Sequence, residues 1–181
     1  VRRHADARME DICKKEKMIQ IGDAPGMVLD RPLSGETPHR GVDIRHITDV
    51  AGIMDFAFVA RESYQRLGLP AAVSDQIFAS PNRLLEPHND WVVAYDSDRP
   101  VSAAMTLFSH GAAGLYWVGT LKNSRGKGLA RACVQEATNE AFRRGASLVV
   151  LQASRFGEPL YRRMGCEEVT RYPWYAYFKP S

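Results

Sequence analysis

Cysteine is scarce in this sequence, and this scarcity excludes several kinds of protein. Cys13, Cys133 and Cys166 are the three cysteines among 181 residues, and they stand far apart. The sequence has no CxxC pair and no Cys/His spacing typical of structural zinc. An odd, scattered set also provides no disulfide framework. We therefore predict reduced thiols, no metal ion and a cytoplasmic location.

Long apolar runs are missing as well. Runs such as Leu148–Leu151 are far too short to cross a bilayer, and no basic-then-apolar leader is visible, so we expect no membrane partner. Hydrophobic residues make up 45% and charged residues 25%, which excludes disordered and collagen-like chains and fits a globular domain. A chain of 181 residues can bury a core without disulfides or metal.

A strong charge of one sign is also absent, because the net charge is only +3. The segment 121–144 nevertheless carries six basic and two acidic side chains, a charge of +4, which leaves −1 for the other residues. The six basic residues are Lys122, Arg125, Lys127, Arg131, Arg143 and Arg144. A local basic cluster suits a small phosphorylated ligand better than a nucleic acid, which needs a broader basic face. We expect no nucleic-acid partner.

Residues 1–40 differ in pattern from the rest of the chain and are predicted to be an N-terminal extension. Asp6–Met18 is predicted to be a short helix, Met18–Ile21 and Met27–Leu29 two short strands, and Asp30–Arg40 a linker. Three interpretations of this extension stay open: extra sheet strands, the remnant of a second copy of the domain, or a dimer arm. A homodimer is therefore one option for the assembly.

Residues 41–181 are predicted to be one mixed α/β (α+β) domain. Its helices are expected after the capping residues Thr48–Asp49 and at Ala71–Phe78, Leu129–Arg144 and Glu158–Met164. Its strands are expected at Val42–Ile47, Trp91–Tyr95, Val101–Ser109, Leu115–Gly119, Leu148–Leu151, Glu168–Tyr172 and Trp174–Phe178. Turn residues between the early strands indicate antiparallel hairpins. Strand, helix and doubly buried strand over 115–151 indicate a βαβ unit.

The helix over 129–144 is predicted to be amphipathic. Its inner face would be Leu129, Ala130, Cys133, Val134, Ala137 and Ala141. Its outer face would be Arg131, Gln135, Asn139, Glu140, Arg143 and Arg144.

The turn that leads into this helix has the features of an anion site. Gly126 and Gly128 stand one residue apart where the helix begins, which lets the backbone approach an anion at the free N–H groups of the first turn. A nucleoside-triphosphate loop needs Ser or Thr after Gly126-Lys127, and Gly128 stands there instead. The dinucleotide fingerprint needs a small third residue where Arg131 stands, and an acidic residue where Gln152 stands.

A third phosphate-binding pattern fits. Arg125–Ala130 matches Gln/Arg-x-x-Gly-x-Gly/Ala, and the sequence here resembles the pyrophosphate loop of the GNAT superfamily of N-acetyltransferases. The likeness extends to Tyr116–Thr120, Leu151–Ser154 and Pro159–Cys166, and it covers roughly residues 41–178. It implies a mostly antiparallel central sheet flanked by helices, splayed beside the βαβ unit, with acetyl-CoA in the splay.

The resemblance also implies an activity and a set of site residues. Such enzymes move the acetyl group of acetyl-CoA directly to an amine of a small molecule or a protein, and we expect the same here without a metal. Tyr161 would donate a hydrogen bond or a proton to the leaving thiolate, although a packing role for its ring stays open. The residues expected to contact acetyl-CoA are Val118, Gly119, Thr120, Arg125, Gly126, Lys127, Gly128, Leu129, Ala130 and Ser154.

The sequence departs from the family pattern in three places. Gly114 stands where the histone-modifying branch has a catalytic glutamate, Ser154 replaces a common asparagine, and Cys166 replaces a common aromatic residue. The group that removes the proton from the amine is therefore open, with water or one of four side chains as candidates: His110, His88, Asp90 and Glu62. The alternative function is a catalytically inactive acyl-CoA-binding or sensing module.

Overall fold

The computed structural model describes residues 6–35 and 41–178, so residues 1–5, 36–40 and 179–181 lie outside the described residues. The described residues contain five α-helices and seven strands. They form two compact units, which we call the middle unit (residues 30–149) and the terminal unit (residues up to 29 and from 150 on). The predicted domain boundary near residue 40 stays a prediction.

Between residues 42 and 163 the helices and strands follow one another in the order expected from the sequence. The helices are α1 (Ala7–Lys15), α2 (Val50–Tyr64), α3 (Ala71–Ile77), α4 (Leu129–Arg143) and α5 (Glu158–Arg163). The strands are β1 (Ile19–Leu29), β2 (Val42–His46), β3 (Asn89–Asp96), β4 (Arg99–Ser109), β5 (Ala112–Thr120), β6 (Leu148–Gln152) and β7 (Glu167–Ala176).

The middle unit contains an antiparallel sheet with the strand order β2-β3-β4-β5. Two tight turns connect β3 to β4 and β4 to β5. Ser97 and Asp98 both have positive φ, as do His110 and Gly111. This backbone conformation matches the twist of the flanking strands, so short polar residues and glycine are favoured there. The predicted mixed α/β fold with mostly antiparallel strands is confirmed.

The core of the middle unit lies between α2 and this sheet. The α2 side chains Ile53, Phe56 and Val59 are fully buried and pack with apolar residues of β3 and β4. The helix begins as predicted, because the Asp49 carboxylate accepts the Gly52 N–H at 2.8 Å. Gly68, with φ of 88°, ends the helical segment.

The predicted outer face of α4 is wrong at Gln135, which is only 9% exposed. The residues that follow β1 explain this burial. The Gln135 side-chain amide donates to the Gly35 carbonyl at 2.8 Å. Asn139 both accepts from the Leu33 N–H at 2.8 Å and donates to the Leu33 carbonyl at 3.0 Å. The described part of the predicted linker therefore lies on the polar face of α4 and forms hydrogen bonds with Gln135 and Asn139, while its last five residues lie outside the described residues.

The terminal unit is built around the antiparallel pair β1 and β7, with β6 next to β1. The sequence predicted two short strands in place of β1 and two more in place of β7, and both predictions are wrong. Gly26 keeps β1 continuous, because a Cβ there would lie 2.6 Å from the Thr170 side chain. Pro173 lies opposite Asp23 within the ladder. β6 is also not buried on both faces, because only alternate residues are fully buried.

Candidate active site

The loop before α4 has the backbone geometry of an anion site. Gly126 and Gly128 have φ of 76° and 77°, the left-handed region that favours glycine. Gly128 is the N-cap of α4, and no side chain caps the helix start. The N–H of Ala132 makes the first helical hydrogen bond, to the Gly128 carbonyl at 3.1 Å. The N–H groups before it are left for a ligand, with the helix dipole behind them.

Basic side chains surround this loop in two different ways. The Arg125 guanidinium donates to the Thr120 carbonyl at 3.1 Å and so fastens the loop to the end of β5. Lys122, Lys127 and Arg131 are exposed and make no ion pair with any other residue that the structure describes. Arg125 therefore shapes the loop, while the other three cations supply the positive field.

β5 contains a β-bulge two residues before its end. Residues 103 and 105 of β4 pair with residues 119 and 116 of β5, so Trp117 and Val118 both face one β4 residue. Trp117 has φ of 51° in the middle of the strand. A bulge leaves the extra residue outside the regular ladder and bends the strand. The backbone at 117–118 is therefore the part of β5 that departs from the regular ladder with β4.

The two residues after the bulge are held by their neighbours. The Ser102 hydroxyl donates to the Gly119 carbonyl at 2.8 Å and lies 2.7 Å from the Thr120 hydroxyl. Gly119 also lies against α2, since a Cβ there would be 2.1 Å from Ser63 Oγ. Gly119 is thus required for packing, whatever it does toward a ligand.

The remaining predicted site residues belong to the terminal unit. Ser154 Oγ accepts the Gly157 N–H at 3.2 Å, so it stabilises the turn that leads into α5. Tyr161 lies on α5, is 7% exposed, and packs its ring next to Gly157. Gly157 makes room for that ring, because a Cβ there would be 2.8 Å from it. The structure therefore brings Ser154, Gly157 and Tyr161 together.

The four candidate proton acceptors are in dissimilar positions. His110 lies in the turn before β5, at the opposite end of that strand from the anion loop. Nine residues of strand separate the two ends by about 30 Å, which disfavours His110. Glu62 accepts from Arg61 at 2.6 Å. Asp90 is engaged with His46 at 2.8 Å, whereas His88 is exposed.

Two clusters in the middle unit were not found from the sequence. In one, the ring of Trp117 packs at an angle against those of Tyr64 and Phe78, and burial raises the pKa of Tyr64 above its usual value. In the other, His46 lies between the carboxylates of Asp90 and Glu136. Each joins residues far apart in sequence, and no local motif marks either one.

The cysteines have the character expected of packing residues. Cys13, Cys133 and Cys166 are all buried and free. Burial raises the pKa of Cys133 to about 12 and that of Cys166 to about 11, so both thiols stay protonated near neutral pH. The described residues include no cluster of three His, Cys, Asp or Glu side chains placed to hold a metal ion. No described helix has both the length and the apolar character needed to span a membrane.

A comparison of the sequence with models of protein families identifies the family of this chain. The model of the Acetyltransferase (GNAT) family matches residues 53–166, which include the aromatic cluster, the bulge, the anion loop and Tyr161. The chain belongs to the GNAT acetyltransferase family. This GNAT protein has no match among curated proteins.

Solved structures show the same fold at low sequence identity. A GCN5-related N-acetyltransferase from Kribbella flavida is 23% identical with a TM-score of 0.73, and one from Sphaerobacter thermophilus is 22% identical with a TM-score of 0.76. Both matches cover 94% of this chain but only 63% and 56% of those proteins. A predicted acetyltransferase with acetyl-CoA from Clostridium acetobutylicum is 19% identical, with a TM-score of 0.59 over 71% of this chain and 91% of that one.

Proposed function

We propose that this GNAT protein transfers the acetyl group of acetyl-CoA directly to a primary amine of a small molecule or a protein. The observation that carries the proposal is the start of α4, which no side chain caps, preceded by two left-handed glycines in the segment that follows the bulged strand β5. A similar structure, from Clostridium acetobutylicum, is described with acetyl-CoA. The proposal includes the same ligand for this chain.

The residues around the loop fit the diphosphate of acetyl-CoA. The space beside Gly126 is open, with no atom within 4 Å of a Cβ placed there, so a phosphate can approach the backbone. The N–H groups of Gly128, Leu129 and Ala130 would donate to its oxygens, and Lys127 adds positive charge. The dense negative charge of a diphosphate matches this set of donors.

The bulge fits the pantetheine arm, which is an extended chain with two amides. Backbone groups at Trp117 and Val118 lie outside the regular β4–β5 ladder and can pair with those amides as a strand would. Residues on both sides of the bulge are fixed by Ser102 and by the close contact with α2. The strand therefore offers a rigid guide that orients the arm.

The reaction forms a C–N bond and breaks the thioester C–S bond, so negative charge develops on the departing sulfur and the amine loses a proton, which water is proposed to accept. When bound, acetyl-CoA supplies an activated acyl group on a thiolate leaving group. The Tyr161 hydroxyl is proposed to donate a hydrogen bond to the sulfur as charge develops there. Full proton transfer from a tyrosine to a thiolate is uphill by about 2 kcal/mol at reference pKa values, so donation of a hydrogen bond is favoured over transfer of the proton.

Calorimetry with acetyl-CoA, followed by thiol release with a panel of amines, tests this function. We expect saturable binding and release of one thiol per acetyl group transferred to at least one amine. Binding without release for any small-molecule or peptide amine would instead support the sensing module. A folded protein with no affinity for acetyl-CoA would overturn both functions.

A further inference from the structure

Trp117 has a backbone conformation that its residue type disfavours. It is a bulky residue with φ of 51° inside a strand, in the left-handed region that favours glycine. The other positive-φ residues between Asp30 and Val149 that the structure describes lie in turns, loops or caps rather than within a strand. Strained residues persist only where their surroundings enforce the conformation, and they concentrate at functional sites.

The surroundings of Trp117 supply that enforcement. Its ring centroid lies 4.6 Å from that of Tyr64, the last residue of α2, and 5.3 Å from that of Phe78, which follows α3. Phe78 is itself buried and contacts the core rings Phe56 and Trp91. The indole therefore packs between the ends of α2 and α3, which are themselves packed in the core.

The contacts from α2 and α3 lie at the bulge itself. Ser63, which precedes Tyr64, contacts Gly119, so the end of α2 packs against β5 just after the bulge. Tyr64 and Phe78 contact the indole at the bulge itself. A regular strand would pair residue 117 with β4 and would close the gap in the ladder. The contacts that stabilise the bulge thus come from α2 and α3 rather than from the local sequence.

We propose that Trp117 is a positioning residue for the pantetheine arm, and that the Tyr64–Trp117–Phe78 cluster holds the β5 bulge open. This inference rests on the proposed function, since it assigns Trp117 to the binding of acetyl-CoA. The ring contacts of the indole are with Tyr64 and Phe78. Its loss should weaken the pantetheine contacts and leave the nucleotide contacts intact.

Two ligands separate these contacts: acetyl-CoA, and 3′-phosphoadenosine 5′-diphosphate, which lacks the pantetheine arm. We expect Trp117→Leu to raise the Kd of acetyl-CoA by about tenfold or more and that of the nucleotide by less than about threefold. Trp117→Phe, which keeps an aromatic ring between Tyr64 and Phe78, should recover most of the affinity. Trp91→Leu is the matched control, because it removes a buried core indole that contacts the same Phe78 but lies on β3. It should lower the Tm and leave the ratio of the two Kd values unchanged.

Trp117→Gly distinguishes the cluster from the backbone alone. Glycine adopts φ of 51° without strain, so a bulge set by backbone preference would survive and acetyl-CoA would bind as in the wild type. We expect the affinity for acetyl-CoA to fall as in Trp117→Leu. Where a Trp117 variant does not fold, Tyr64→Leu removes one of the two aromatic contacts to the indole. It should give the same selective loss of affinity for acetyl-CoA.

The outcomes separate the two proposals. Wild-type protein that fails to bind acetyl-CoA overturns the proposed function and this inference together. Wild-type binding with unchanged Kd ratios in the Trp117 variants overturns this inference alone. Equal loss of both ligands also overturns it, because Trp117 would then support the whole site rather than the pantetheine arm.

Discussion

At the scale of single residues, positive φ is accommodated in two different ways around the candidate site. Gly126 and Gly128 adopt it without a Cβ, so the loop is left-handed at little conformational cost. Trp117 adopts it with a large side chain and depends on contacts from α2 and α3. The glycines were recognisable in the sequence because the motif requires them, whereas nothing local distinguishes Trp117 from an ordinary strand residue.

Gly128→Val is predicted to abolish acetyl-CoA binding while the protein stays folded. The new side chain would both strain the backbone at φ of 77° and stand where a phosphate meets the N–H groups. Gly145→Val is the matched control, because Gly145 follows the other end of α4 at φ of 88° with no atom near its Cβ position. Each change should cost about 1–2 kcal/mol of stability. Calorimetry and urea unfolding of both variants measure the difference, and equal affinities would refute the loop assignment.

Tyr161→Phe is predicted to lower kcat by about 10- to 1000-fold with little change in the KM for acetyl-CoA. The ring would keep its place beside Gly157, and only the hydroxyl that assists thiolate departure is lost. Steady-state kinetics of thiol release measure the effect. Tyr177→Phe, at an exposed tyrosine, serves as the control. A rate for Tyr161→Phe within about twofold of wild type would leave Tyr161 a packing role only.

At the scale of helices and strands, local patterns predicted the elements better than their surroundings. α2 begins at its predicted cap and ends before Gly68, because both signals act within one or two turns of chain. Gln135 was assigned to solvent because it lies on the polar face of α4, and the chain that covers it comes from residues about 100 positions away. Similarly, the sequence predicted two short strands on either side of residues 22–26, although Gly26 lies within β1 and accommodates side chains of β7.

The same kind of long-range contact links β2, β3 and α4 through His46. Its imidazole lies 2.8 Å from Asp90 Oδ1 and 3.0 Å from Glu136 Oε1, and Glu136 is also bonded to Arg143. The hydrogen bond to Asp90, with a smaller contribution from Glu136, raises the pKa of His46 to about 9 against the opposing effect of burial. Protonated His46 therefore joins three elements through charge-assisted hydrogen bonds.

Stability is predicted to fall as the pH rises from about 6.5 to about 9. Because the folded pKa of His46 exceeds its unfolded value of about 6.5, its contribution is complete below that value and is lost above about 9. A shift of this size corresponds to about 3 kcal/mol, which solvent screening at a partly exposed site reduces to about 1–2 kcal/mol. Urea unfolding from pH 6 to 10 measures it. His46→Gln should flatten this decline and His88→Gln should not; matching declines in wild type and His46→Gln would contradict the assignment.

At the scale of the whole molecule, the motif predicted the family, but the sequence did not reveal the acceptor side of the reaction. The anion loop is six consecutive residues, so its chemistry is visible in one stretch of sequence. The group that accepts the amine proton would have to be brought together by folding, and Gly114 removes the one position where the family pattern would show it. The structure then ties Asp90 to His46 and places His110 at the far end of β5, which leaves water as the strongest candidate.

Water as the proton acceptor leads to a prediction about how the acetyl-transfer rate depends on pH. A lysine-type amine has a reference pKa of about 10.4, so freeing its lone pair at neutral pH costs about 4 kcal/mol. If water takes the proton, kcat/KM should rise about tenfold per pH unit until the pKa of the amine is approached. Two acceptors with different amine pKa values should shift the profile by that difference, once rates are corrected for unfolding above pH 9. A plateau that begins near pH 6–7 and ignores the substrate would instead reveal a protein base, and His88 and Glu62 would then be replaced in turn to identify it.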